Sequence, residues 1–102
     1  MGEFSSPFKL VNFNNDRQLT QSELETTIRF AICLEQEAVS IYKSIAEHSG
    51  IASVRKVFES IADEEVIHIG ELTRLLFKIS EKEQILYKKG FSEVEDILKN
   101  SE

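Results

Sequence analysis

The sequence predicts an all-α chain: an antiparallel hairpin of two long helices with short C-terminal helices after it, dimerising into a four-helix bundle. Three observations predict this. Apolar residues recur at i, i+3, i+4 and i+7 through two long proline-free stretches on either side of Ser49-Gly50. Helix-starting boxes stand at Thr20-Gln21-Ser22-Glu23, Ser80-Glu81-Lys82-Glu83 and Ser92-Glu93-Val94-Glu95. Finally, Glu35, Glu65 and His68 occupy positions inside the apolar stripes, where a carboxylate is costly unless it is paired or bound to a cation.

With 102 residues, 41% hydrophobic and 29% charged, the chain makes one small globular domain. Its 18 acidic and 12 basic residues leave a net charge of −6. That argues against nucleic acid as a partner and suits the attraction of cations. The single Cys33 excludes an intrachain disulfide and a CxxC knuckle, and fits a reducing compartment. No apolar run approaches the ~20 residues of a membrane span. The N-terminus lacks a basic start followed by an apolar core, so a cytoplasmic location is expected.

Residues 1–19 carry Gly2, Ser5-Ser6-Pro7 and four Asn or Asp residues between 12 and 16, and no helical period runs through them. They read as an extended arm, with Phe4, Phe8, Leu10 and Phe13 available to pin it to a groove. The first helix starts near residue 21 and runs to about His48. Its stripe is Leu24, Ile28, Ala31, Ile32, Glu35, Ala38, Val39, Tyr42, Ile45 and Ala46. Ser49-Gly50 ends it. The second helix runs from about Ile51 to Ile79 and carries Glu65 and His68 among Val54, Phe58, Ile61, Ala62, Ile69, Leu72 and Leu76. Each helix is roughly 42 Å long at 1.5 Å per residue. A shorter helix follows Ser80 and stops near Gly90, and a last turn or two runs from Ser92 through Leu98.

The hairpin sets the level of the three unusual residues. Glu35 lies 15 residues before Gly50 and Glu65 lies 15 after it. Folding back puts both carboxylates at one height, roughly 22 Å from the turn, with His68 one turn further. Two acids and an imidazole at one level make a metal site of the kind iron, manganese or zinc accept. A hairpin alone leaves a wide apolar surface, because Phe30, Leu34 and Ile41 lie off the Glu35 stripe. A second copy laid against it gives a bundle with two-fold symmetry. Two chains then supply four Glu and two His, the set that carboxylate-bridged di-iron bundles use.

Leu34-Glu35-Gln36-Glu37-Ala38-Val39-Ser40-Ile41-Tyr42 resembles the first ligand helix of ferritin-like proteins, with its Glu-x6-Tyr pattern. Ala62-Asp63-Glu64-Glu65-Val66-Ile67-His68 resembles their Asp-Glu-Glu-x-x-His helix. The length is similar to that of the half-ferritins, encapsulated ferritins and short rubrerythrin-like proteins, with residues 20–99 as the helical domain. The resemblance implies iron ligation by Glu35, Glu65 and His68, a di-iron centre shared between two chains, and a ferroxidase that oxidises Fe(II) to Fe(III) for storage or detoxification. It implies that Tyr42 lies beside that centre as a fourth site residue. It also implies rings of dimers held as cargo inside an encapsulin shell, although Ile97–Glu102 carries no recognisable packaging tail and Leu34 is apolar where the family often has a second acid. A rubrerythrin-like peroxide reductase at the same centre, and a non-catalytic metal-stabilised helical module, are the alternatives. The single cysteine excludes a rubredoxin domain.

The remaining candidates read more plainly. Glu64 shares a polar face with Ser60 and Glu71 and is expected to face solvent. Glu37 reads as a solvated acid. Cys33 reads as a small buried residue, and His48 as a favourable charge at a helix C-terminus.

Overall fold

The computed structural model describes residues 17–101. It contains three helices and, among the described residues, no strand: α1 (Gln21–His48), α2 (Ala52–Ile79) and α3 (Glu81–Ser101). The all-helical hairpin is as expected. Apart from 17–19, the expected arm, with its phenylalanines, lies outside the described residues.

α1 begins with a complete capping box. The Thr20 hydroxyl accepts from the Glu23 amide at 3.1 Å, and the Glu23 carboxylate accepts from the Thr20 amide at 2.9 Å. Arg17 closes on the same carboxylate with two bonds, at 2.7 and 2.8 Å. At the other end His48 Nδ1 lies 2.8 Å from the Ser44 carbonyl, on one of the last acceptors of the helix. The chain leaves α1 through an extended Ser49 (φ −85°, ψ 134°) and uses no left-handed glycine. The Ser49 hydroxyl accepts from the Ile51 amide at 3.1 Å, and Arg55 donates to the Ser49 carbonyl at 2.9 Å. Side-chain groups therefore hold the turn where a glycine conformation was expected.

α1 and α2 pack antiparallel in the expected register. Tyr42 meets Phe58 across the seam, ring centroids 5.7 Å apart, just as Glu35 stands level with Glu65. Ile28, Ala46, Ala62 and Leu76 are buried. The apolar shoulders Leu34, Ile41, Val57 and Leu75 stay about half exposed. The radius of gyration is 17.8 Å, against about 13 Å for a compact chain of 100 residues. The helices do not close around one core.

The C-terminal third departs from expectation. It is one helix of 21 residues running through Gly90 and Ser92. A glycine costs about 1 kcal/mol against alanine inside a helix, which is too little to break one flanked by Leu, Lys and Glu on both sides. The box at Ser80 forms by half. Its hydroxyl accepts from the Glu83 amide at 3.3 Å, while the Glu83 carboxylate turns to Arg29, accepting from Nε at 3.2 Å and Nη2 at 3.0 Å. That ion pair, the Gln21 amide on the Ile79 carbonyl, and the edge-on Phe77–Tyr87 pair at 5.0 Å fix the root of α3 against the hairpin. None of the residues of α3 is buried.

Candidate metal centre

The seam between α1 and α2 brings Glu35, Glu65 and His68 together. Glu65 and His68 are three apart, so α2 presents them on one face; the register of the hairpin brings Glu35 to them from α1. One ligand atom from each lies within 4.8 Å of the other two. His68 Nδ1 is 3.5 Å from Glu65 Oε2 and 3.6 Å from Glu35 Oε2. Those gaps are too long for good hydrogen bonds. They are short enough for one ion to touch all three groups.

Burial grades across the cluster. The side chain of Glu65 is 18% exposed, that of Glu35 28% and that of His68 47%, so the site opens to solvent past the imidazole. Glu35 Oε2 is the telling atom: it is buried and has no hydrogen-bond partner. An unmet buried acceptor costs about 1–3 kcal/mol, and more when charged. A cation removes that cost. The donor set, two hard carboxylates and one imidazole, fits iron, manganese or zinc. It does not close a coordination shell, since a structural ion takes four or more ligands and this cluster supplies three on a solvent-facing side.

The other candidates lie apart. Tyr42 is half-buried against Phe58, two turns of α1 from Glu35 towards the hairpin turn. Glu64 faces solvent, as read, and so does Glu37. Cys33 corrects the sequence reading: it is exposed, because neither α2 nor α3 covers that side of α1. One seam residue escaped notice. Thr27, two turns of α1 from Glu35 in the other direction, has a buried hydroxyl without a partner; its signal was the eight-residue step to Glu35.

The rubrerythrin family model matches residues 26–99. A ferritin-like–encapsulin shell fusion protein of Pyrococcus furiosus is 34% identical over 84 residues, which is 82% of this chain and 24% of that protein. The chain therefore spans about a quarter of the length of this relative. The crystal structure of the encapsulated ferritin domain from Pyrococcus furiosus is similar with a TM-score of 0.77 at 34% identity, over 82% of this chain and 86% of that one.

Proposed function

Because the chain belongs to the rubrerythrin family of ferritin-like proteins, we propose that it is a ferroxidase acting on Fe(II) at a centre made of Glu35, Glu65 and His68 from each of two copies. The observation that carries this reading is the convergence of the three side chains on one point, with a buried carboxylate oxygen that has no hydrogen-bond partner in the chain.

Fe(II) is the substrate. Two Fe(II) ions each give one electron to dioxygen, which takes up two protons and leaves as hydrogen peroxide, and two Fe(III) ions go to storage. The residues make this favourable. The anionic oxygens of Glu35 and Glu65 prefer the harder Fe(III), so they lower the cost of oxidation. Glu35, Glu65 and His68 would hold the ions, the two carboxylates as hard oxygen donors and the imidazole as the nitrogen donor. His68, one turn along α2 from Glu65, would supply the imidazole from the open side of the cluster, where the second copy's ligands join it. Tyr42 packs on Phe58 beside the seam and keeps that end of the site dry. One copy holds half of the ligand set, so a second copy completes it. A two-helix face encloses no store of its own. The likeness to an encapsulated ferritin domain supports an encapsulin shell as the partner that receives the Fe(III).

The test is anaerobic Fe(II) loading followed by native mass spectrometry and then exposure to air. Even-numbered assemblies with one iron per chain, and Fe(III) formed on aeration, are expected. Glu65→Ala and His68→Ala abolish oxidation while the helices persist by circular dichroism. Retained oxidation in both variants removes the site assignment. The family match also favours a peroxide reductase as second reading, and oxidation much faster with hydrogen peroxide than with dioxygen would select it.

A further inference from the structure

We propose that Ser80 is a two-position joint between the hairpin and α3, set by whether the Glu83 carboxylate is held by Arg29 of α1 or by the Ser80 amide. The inference rests on the hydrogen bonds around Ser80 and is independent of the metal reading.

The chain carries the same helix start twice, Thr20-Gln21-Ser22-Glu23 before α1 and Ser80-Glu81-Lys82-Glu83 before α3. The two behave differently. At Thr20 the Glu23 carboxylate accepts from the cap amide and from Arg17 at once. At Ser80 the Glu83 carboxylate takes the arginine alone. The cap amide makes the difference. Residues 17–19 are not helical, so the Thr20 amide is free to turn to its carboxylate. The Ser80 amide donates to the Leu76 carbonyl at 2.9 Å, as one more residue of α2 would. Ser80 thus closes α2 through its amide and opens α3 through its hydroxyl and carbonyl.

Each group in this set has a second partner beside it. Arg29 Nη2 donates to Glu83 Oε2 at 3.0 Å and to Glu25 Oε1, one turn back on α1, at 3.3 Å. The Ser80 hydroxyl already accepts from the Glu83 amide at 3.3 Å, so half of the capping box stands whichever way the carboxylate turns. When Glu83 turns to the Ser80 amide the box is complete, and Arg29 keeps Glu25. The Leu76 carbonyl then goes to water, as the last carbonyls of a helix ordinarily do. One set of bonds is exchanged for another of the same kind. The Arg29 side chain is 45% exposed and that of Glu83 21%, so water and salt reach the pair and screen it.

The exchange moves α3. The Arg29–Glu83 pair ties α3 to α1, and no residue of α3 is buried to hold it otherwise. With Glu83 on its own cap that tie is gone and the Ser80 amide no longer continues α2. α3 then turns about Ser80 with the Phe77–Tyr87 edge contact still tethering it to α2. Lys99 lies roughly 28 Å along α3 from Ser80 at 1.5 Å per residue, so a turn of about 20° carries it on the order of 10 Å. Two states of this kind are shifted by whatever favours one of them. Low salt holds α3 where Arg29 sets it, and high salt, or an acidic group that takes Arg29, releases it.

The experiment is a pulsed electron–electron distance measurement on the full chain in EDTA. One spin label is placed on Cys33, which is exposed on α1, and one on Lys99→Cys near the end of α3; the labelled chain is diluted into an excess of unlabelled chain. With no further substitution the labelled chain gives one narrow distance at low salt. Glu83→Gln keeps the box, since glutamine also caps, and loses the charge that holds Arg29, so a second narrow distance replaces the first. Arg29→Gln gives that same second distance, and rising salt moves the otherwise unchanged chain towards it. Glu83→Ala loses both partners and broadens the distribution. A plain ion pair makes glutamine and alanine act alike, so identical distributions in Glu83→Gln and Glu83→Ala overturn the proposal, as does an unchanged distance in Glu83→Gln. Where a variant loses helicity by circular dichroism, the salt series decides, and one distance at every salt concentration overturns the joint.

Discussion

Glu35 holds a carboxylate oxygen that is buried, without a hydrogen bond, and close to a second carboxylate on Glu65. Two like charges that near one another disfavour the metal-free state. Glu35→Gln keeps the shape and removes one charge. The metal-free protein is therefore expected to hold its stability or gain about 1 kcal/mol, while the rise in Tm on adding Zn(II), a redox-silent probe, disappears. Thermal unfolding with and without Zn(II) reads both effects, and a metal-induced rise that survives the substitution removes Glu35 from the ligand set. Glu23 presents the opposite case, a half-buried carboxylate that is well satisfied. The bonds from Arg17, and next the Thr20 amide, hold its pKa down to about 2 from an ordinary 4.5. A carboxyl lowered in the folded state contributes stability that is present above its unfolded pKa and is lost as pH falls through the folded one. The first turn of α1 should therefore loosen between about pH 4.5 and 2. Arg17→Ala should move the Glu23 titration, followed by carboxyl carbon NMR, back towards the ordinary value; an unmoved midpoint would show that the Thr20 amide alone sets it.

Leu76 is the largest fully buried side chain among the described residues, in the last turn of α2, and its carbonyl accepts from the Ser80 amide at 2.9 Å where the chain turns into α3. Leu76→Ala is expected to cost about 2–5 kcal/mol, read as a lower urea midpoint at the same metal concentration; a loss under 1 kcal/mol would mean that the α2–α3 joint collapses around the cavity. The helices themselves were legible because α1 and α2 are decided by a period sustained over seven or eight turns. The Glu35, Glu65 and His68 cluster was legible for the same reason: equal distances from one turn fix one height in a hairpin. α3 was misread because Gly90 and Ser92 are local signals, whereas continuity through them depends on the helix formers on both sides and on Glu83 being drawn to Arg29 rather than back to its own cap. The exposure of Cys33 was not legible at all, since it depends on what covers α1, and no periodicity within α1 carries that information.

Among the described residues the chain buries four hydrophobic side chains and leaves many more half exposed. The hairpin shoulder around Leu34, Ile41, Val57 and Leu75 lies beside a charged centre. Association through the hairpin should therefore be linked to metal, because a ligand that binds only the paired state strengthens pairing by mass action, by about 2.7 kcal/mol at a hundredfold excess over its dissociation constant. Sedimentation with and without metal reads this dependence. Adding Zn(II) is expected to tighten assembly at least tenfold in the wild type and not at all in Glu65→Ala. A wild type that binds one metal per chain yet stays monomeric would mean that Glu35, Glu65 and His68 of a single chain suffice, and the shared centre would have to be given up.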